Sequence, residues 1–350
     1  MRATTNRKEL LELLSRVKSA AATRATLPVC QSVLIKAGQG KVVMTANNLE
    51  VALSGSCKAD ITKKGAVCAP PKPLEVFLKT VTAEIVTLTG KGKQLKVGAG
   101  NATTTLEGYE AKDFPPVPKI RGKGIVIENL AKALKEVDYA MAQEDSRPVL
   151  QAICFAPAEG GIELAAADGF RLGVATVKVK GNLKSQVIVP AAAIGLITKL
   201  MNGETTMRQS NGNISFEGNG LTLTTKATEG TYPDYKKLIP EGGTRLTVEV
   251  EEFRDALKIV MAIEPISGIV RLQTKGRTLI VSAKNEETGT TEVKLPAQGE
   301  VKIAFNGSYL KDILARVDGK MMLWTTTPSA PGVFKQNGTT HVLMPMFAQW

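Results

Sequence analysis

The side chains able to do covalent or acid–base chemistry are few in this chain and stand apart from one another. Its single histidine, His341, sits beside the terminal strand and reads as structural. The four cysteines, Cys30, Cys57, Cys68 and Cys154, show neither Cys-x-x-Cys spacing nor paired Cys/His sets. They read as idle or buried thiols in a reducing compartment, and zinc and redox sites are unsupported. The acidic pairs Glu144-Asp145 and Glu286-Glu287 are adjacent on expected loops, which gives them no common face for proton transfer. Gly90-Lys91-Gly92-Lys93 lacks the helix start that a phosphate loop needs and reads as a hairpin turn. No nucleotide-loop, dinucleotide, zinc-protease or serine-hydrolase motif occurs. The chain is therefore read as a non-enzyme without metal or cofactor. What remains is charge. A formal net charge of +12 points towards a polyanion, nucleic acid above all. The cations are spread singly, which an ordinary solvated surface also shows.

The elements that must carry this charge emerge from self-similarity. A chain of 350 residues exceeds what one core usually supports, so two or three domains are expected. A first helix, from about Asn6 to Ala20, carries Leu10, Leu14 and Val17. The same i, i+4, i+7 stripe returns as Leu130, Leu134 and Val137 and again as Phe253, Leu257 and Val260. Second helices are expected to open at Pro70, Pro190 and Asn306, with stripes Leu74/Phe77/Val81, Ile194/Ile197/Met201 and Leu310/Ile313/Val317. Both sets recur at about 120 residues. Strands are expected at Ser32 to Ile35, Lys41 to Thr45, Ile85 to Thr89, Gln94 to Val97, Ile162 to Ala166, Leu221 to Thr225, Thr278 to Ser282 and Lys302 to Phe305. Gly38-Gln39-Gly40, Gly90-Lys91-Gly92, Asn211-Gly212-Asn213 and Gly218-Asn219-Gly220 punctuate them as hairpin turns do. The segments Gly108 to Ile120 and Glu229 to Pro240, with their aromatic-Pro steps, read as linkers. The fold class is α+β in three similar domains, 1–120, 121–242 and 243–350, each with two helices packed on β-sheet. Neither the interrupted start Leu10 to Val17 nor the run Val187 to Ile197, broken by Pro190 and Gly195, suits a signal peptide or a membrane span. A soluble, cytoplasmic protein is expected.

Local motifs then narrow the reading. Arg24-Ala25-Thr26-Leu27-Pro28-Val29, Ser146-Arg147-Pro148-Val149-Leu150, Ala167-Asp168-Gly169-Phe170-Arg171-Leu172, Tyr232-Pro233-Asp234-Tyr235, Phe305-Asn306-Gly307-Ser308-Tyr309-Leu310 and Val342-Leu343-Met344-Pro345-Met346 follow one another along the whole chain. Each is weak alone. Their order and spacing resemble the bacterial DNA sliding clamp family, the β subunits of DNA polymerase III. The resemblance implies a head-to-tail homodimer, a six-domain ring with duplex DNA through its hole and helices lining the inside, which acts as a processivity factor without catalysis. Implied partners are double-stranded DNA, a second copy of the chain, the polymerase III catalytic subunit, the clamp loader, and other polymerases and repair proteins bearing a Gln-Leu-x-Leu-Phe-like motif. No membrane partner is implied.

If the apolar stripes face the sheets, the opposite helix faces look into the hole. At 100° per residue these faces carry Lys8, Arg16, Lys132, Lys135 and Lys258 on the first helices and Lys72, Lys79, Lys199 and Arg316 on the second. Glu12, Asp255 and Asp312 share them, so a solvated face of mixed charge is the alternative reading. Arg24 is expected to touch DNA by its match to the family's loop, a plain loop arginine being the alternative. The family's partner-peptide pocket carries over to Leu150, Gly169, Phe170, Arg171, Leu172, Pro233, Lys237, Leu238, Asn306, Tyr309, Val342, Met344, Pro345 and Met346. For Met344 and Met346 a terminal strand filling the core is the alternative. The sequence departs from the family in three ways: the added tail Phe347-Ala348-Gln349-Trp350, Lys237 where arginine is common, and the net basic charge. The tail is expected to cover or extend the pocket. A copy carried by a mobile element would account for the basic charge.

Overall fold

The computed structural model describes every residue except 25, 145–146, 264–267, 286–288 and 337. Ala25 and Ser146 of the motifs, and Asp145, Glu286 and Glu287 of the acidic pairs, lie outside the described residues. Contacts group the chain into two compact units. Unit 1 is Met1–Lys132, Val179–Asn182 and Val189–Ala227; unit 2 is Ala133–Lys178, Leu183–Ile188 and Thr228–Trp350.

Among the described residues there are six α-helices: α1 Arg7–Val17, α2 Pro71–Thr80, α3 Leu130–Val137, α4 Ala191–Leu200, α5 Val250–Ile263 and α6 Gly307–Leu314. Local chemistry fixes their starts. Asn6 and Asn306 each accept two backbone N–H groups through the side-chain oxygen, from Lys8 and Glu9 and from Ser308 and Tyr309, at 2.9 and 3.3 Å in both cases. Pro70 and Pro190 precede α2 and α4 in extended backbone. The expected stripes of α1, α3 and α5 are buried at every position, as are those of α4 and α6. Each Leu, Ile or Phe so buried contributes about 1.5–3 kcal/mol. Helix α2 departs from expectation. It ends at Thr80, so Val81 lies beyond it in extended backbone and Phe77 is only half-buried. Its inward face is Pro71, Leu74, Glu75 and Leu78, one step round the helix from the expected Leu74/Phe77/Val81 stripe.

Unit 1 holds two antiparallel sheets. One runs in the order Asp60–Lys63, Arg2–Asn6, Ile85–Lys91, Gln94–Ala99, Ala102–Glu107. The other runs Gly65–Ala69, Val33–Gly38, Lys41–Asn47, Val51–Lys58, Leu221–Lys226, Asn213–Gly218, Thr205–Ser210, Ile125–Ile127. Unit 2 has the same plan. One sheet runs Ala152–Ala158, Gly161–Ala167, Arg171–Lys180, Thr339–Leu343, Gly332–Gln336, Lys320–Thr325, Thr244–Glu249. The other runs Gly289–Pro296, Thr278–Asn285, Ile269–Lys275, Lys302–Asn306. Its largest core buries Phe253, Leu257, Val260, Phe305, Leu310 and Ile313 behind Phe334.

Two expectations change in detail. The turn after Ile85–Lys91 closes on Gly92 and Lys93, because Lys91 pairs with Gln94 as the last rung. The two linker segments are packed rather than loose. Phe114 is buried with Val29, Cys30 and Cys68, and Tyr232 and Tyr235 are buried against Leu150, Cys154 and Val342. The cysteines are free and buried, with burial pushing the Cys68 thiol up to about 12 and that of Cys154 to about 11. No described helix is long and apolar enough to cross a membrane, and no described cluster of His, Cys, Asp and Glu could hold a metal ion.

Candidate functional site

A cavity of about 350 Å³ opens in unit 2, lined chiefly by Phe170, Leu172, Leu238, Val342 and Met344, with Pro331 closing one side. Three pieces of chain position these side chains. The first is the turn Asp168-Gly169-Phe170-Arg171. The Asp168 carboxylate accepts the backbone N–H groups of Phe170 and Arg171 at 2.9 and 3.0 Å, a turn that requires a positive φ at Gly169, here 94°. The turn lifts Phe170 into solvent, 59% exposed, while Leu172 points down as floor at 2%. The second is the strand Thr339–Leu343, whose Val342 stands opposite Leu172. Met344 follows, held by its N–H on the Phe170 carbonyl at 2.8 Å. The third is the segment after Tyr232, anchored by its buried tyrosines and by Tyr235 Oη donating to Glu163 at 2.8 Å. It brings Lys237, Leu238 and Pro240 to the rim.

Arg171 forms one wall and is immobilised. Its Nε donates to Asp168 at 2.9 Å, its Nη1 to Asp312, and its guanidinium lies 4.3 Å from the Tyr309 ring centroid and 5.2 Å from that of Tyr139. Burial works against the charge, but the hydrogen bonds to Asp312 and Asp168 outweigh it and hold Arg171 above its ordinary value. Arg171 is thus a fixed apolar-flanked surface rather than a free cation. Lys237 at the rim is exposed and pairs with Asp234 at 3.0 Å. With an apolar floor, an unbranched methionine and polar groups already committed, the cavity suits leucine or phenylalanine side chains of a short peptide.

The fourteen expected pocket residues separate under this geometry. Gly169, Phe170, Arg171, Leu172, Lys237, Leu238, Val342 and Met344 line the cavity. Leu150 is instead buried in the core beneath it. Pro233 is exposed four residues before Lys237, Asn306 is spent capping α6, and Tyr309 backs Phe170 with ring centroids 6.2 Å apart. Pro345 and Met346 lie past the cavity, where the Met346 N–H bonds the Ala304 carbonyl. Ala167, Pro240 and Pro331 line it unforeseen. Pro331 enters from a loop that carries no signal of its own. Trp350 lies over the Lys302 ammonium at 4.9 Å, and Arg271 holds the Gln349 carbonyl at 3.1 Å, so the tail neither covers nor extends the cavity.

The expected basic residues also divide. Arg24, Lys8, Lys72, Lys79, Lys132, Lys135, Lys199 and Lys258 are exposed, and Lys258 pairs with Asp255 at 2.9 Å. Arg16 is half-buried and donates to the Asn219 carbonyl at 2.5 Å. Arg316 is a correction. Its guanidinium bonds Asp138 at 3.2 Å and the carbonyls of Lys135 and Asp312 at 3.1 and 2.9 Å, and sits on the Tyr139 ring. Arg316 lies two residues past the end of α6, in a turn, and its long side chain folds back to satisfy these acceptors rather than standing free towards a phosphate. Behind it His341 is buried, bonded through Nδ1 to Tyr139 Oη at 2.9 Å. Burial, helped by Arg316, lowers its pKa to about 4 and keeps it neutral.

One charged group escaped sequence reasoning. Glu75 is 8% exposed between α1 and α2, bonded to Lys18 and, at 2.9 Å, to Lys79. Those hydrogen bonds hold its pKa at about 2. Nothing in the stripe pattern marks an inward glutamate, and Lys18 lies past the end of α1.

Three family models match in sequence, each describing one part of the DNA polymerase III beta subunit: the N-terminal domain at residues 1–118, the central domain at 125–234 and the C-terminal domain at 236–347. The chain is 28% identical to the beta sliding clamp of Pseudomonas aeruginosa, over 99% of this chain and all of that protein. It is 27% identical to that of Chlamydia pneumoniae, over 99% of both. Among solved structures it is similar to a sliding clamp from Bartonella birtlesii bound to griselimycin, at a TM-score of 0.92 and 26% identity over 99% of this chain and all of that one. The DNA polymerase III subunit beta of Pseudomonas aeruginosa gives 0.91 and 25% over the same shares. With its three parts matched in order and from end to end, the chain belongs to the DNA polymerase III beta subunit family, the bacterial DNA sliding clamps.

Proposed function

We propose that this protein is a DNA sliding clamp in replication: two copies close head to tail around duplex DNA and tether the polymerase to it. The chain divides into domains at 1–120, 121–242 and 243–350 on this reading. The observation that carries it is the end-to-end match to all three parts of the beta subunit. Arg24, Lys8, Lys72, Lys79, Lys132, Lys135, Lys199 and Lys258 supply the attraction to phosphate, with Arg16 contributing what its bond to Asn219 leaves free. Lysine and arginine meeting a duplex through water and counterions give affinity without sequence preference, whereas base readout would pin the protein in place. Retention therefore comes from topology, and weak contacts permit sliding.

The cavity at Phe170, Leu172, Leu238, Val342 and Met344 receives Leu and Phe side chains of a Gln-Leu-x-Leu-Phe-like segment on polymerases, the loader and repair proteins. Arg171, held by Asp168 and Asp312, gives that segment a rigid wall. No step of catalysis is assigned to the chain, and its place is the cytoplasm, where replication occurs. The test is retention after loading by a bacterial clamp loader with ATP onto nicked circular DNA. A ring stays bound at 0.5 M salt, roughly where phosphate contacts fail, and leaves once the circle is cut. Equal loss from circles and linear duplexes would make it a simple DNA binder.

A further inference from the structure

The five-stranded sheet of unit 1 has two unlike faces. One buries Ala3, Val86, Leu88, Leu95 and Val97. On the other, Lys63, Arg2, Thr89, Lys96 and Thr105 stand in register across all five strands. Lys91 shares this face two residues after Thr89, and Lys64 follows Lys63 at the sheet's edge. Arg2, Lys63, Lys64, Lys91 and Lys96 are exposed, and among the described residues none has a carboxylate within ion-pair distance. Two acids share this face, both on edge strands: Asp60, opposite Thr4, and Glu107, bonded to Gln94 and 4.0 Å from Lys93.

This arrangement works against the sheet. Arg2 stands directly opposite Lys63, and in the neighbouring sheet Lys41 stands directly opposite Lys58. Like charges facing one another across strands destabilise pairing, and the two acids, at the sheet's opposite edges, do not stand between Arg2 and Lys63. Strands lie about 4.8 Å apart, which puts Lys63 one step from Arg2 and Lys96 two steps on the other side, a basic row about 15 Å long. Between these cations sit the hydroxyls of Thr4, Thr87, Thr89 and Thr105, groups that donate to phosphate oxygens. The five strands carry no aromatic residue. There is no anchor of the kind that holds a protein partner and no platform on which bases could stack.

We propose that this face binds the phosphate backbone of nucleic acid, as a second, sequence-independent surface separate from the helix cations. It is independent of the ring reading. The probe is a labelled linear 30-base-pair duplex, followed by fluorescence anisotropy across a salt series with the full chain. Three proteins are compared: wild type, Arg2→Gln/Lys63→Gln/Lys96→Gln, and Lys72→Gln/Lys132→Gln/Lys199→Gln. All six positions are exposed, so all three proteins should fold, with the unfolding midpoint of the sheet variant no lower than that of wild type because the Arg2–Lys63 repulsion is relieved. The sheet variant is expected to lose two to three from the slope of log K against log salt, at about 0.9 per phosphate released. Acetylation footprinting with the same duplex should then protect Lys63 and Lys96. Loss confined to the helix variant would overturn the proposal while supporting the clamp reading. Protection of Lys63 and Lys96 by polyglutamate but not by duplex would overturn it in favour of an acidic protein.

Discussion

Two turns in this molecule are built alike and end in different surfaces. In unit 1, Asn48 Oδ1 accepts the N–H groups of Glu50 and Val51 at 3.1 and 2.8 Å, and the Asn48 N–H bonds the Val51 carbonyl at 3.2 Å. In unit 2, Asp168 makes the same bonds to Phe170 and Arg171, and its N–H meets the Arg171 carbonyl at 3.3 Å. Both turns need a positive φ in second place, 78° at Leu49 and 94° at Gly169. Each leads into a strand paired with a strand from far along the chain, Ala52 opposite Thr224 in one and Leu172 opposite Val342 in the other. The backbone frame is therefore generic. Unit 2 puts Phe170, Leu172 and Val342 where unit 1 has Glu50, Ala52 and Thr224, and an apolar cavity follows from them. The capping residue changes with it. A neutral Asn48 suffices where the turn holds backbone alone, whereas the Asp168 carboxylate must also hold Arg171.

That difference gives the largest expected effect on stability. Asp168→Ala removes the turn bonds and a mostly buried partner of Arg171, for a loss of about 3 kcal/mol. Asn48→Ala removes turn bonds only and should cost about 1 kcal/mol. Urea unfolding of the two variants measures the gap, and equal losses would break the distinction between them. A smaller effect tests the shared backbone. Leu49→Gly relieves a left-handed leucine whose side chain is 62% exposed, and should stabilise by about 0.5–1 kcal/mol. Gly169→Ala imposes the strain that Leu49 bears, and its Cβ would stand 3.4 Å from the Arg147 guanidinium. A cost of about 1–2 kcal/mol is expected in thermal unfolding. Opposite signs sharpen the parallel, and a destabilised Leu49→Gly would break it.

Much of the frame was legible because it rests on short-range rules. Stripes at Leu10, Leu130 and Phe253 called for burial, and Asn6, Pro70, Pro190 and Asn306 suited helix starts. The cavity's central residues were legible through resemblance, since Asp168-Gly169-Phe170-Arg171-Leu172 carries its turn and its side chains in one motif. Long-range closure was not. Pro331 reaches the cavity through a loop, Leu150 sinks beneath it, and Tyr309 serves Arg171 and Phe170 rather than the opening. The helical wheel failed at Arg316 because α6 ends at Leu314, and at Glu75 because the inward face of α2 is turned one step from the expected stripe. A flexible arginine past a helix end can turn back to a carboxylate or carbonyl, as Arg316 does, so sequence spacing does not fix where its charge goes.

The central claim is that the unit 2 turn has become a docking site for a short apolar peptide. Fluorescence anisotropy of a labelled Gln-Leu-x-Leu-Phe peptide tests it most directly, with wild type beside Phe170→Ala/Met344→Ala. Both side chains are partly exposed, 59% and 44%, so the variant should fold, and an unchanged unfolding midpoint would verify this. Saturable binding by wild type, weakened about 30-fold or more in the variant, is the predicted result, as loss of two apolar anchors requires. Equal binding by both proteins, or none by wild type, would contradict the account.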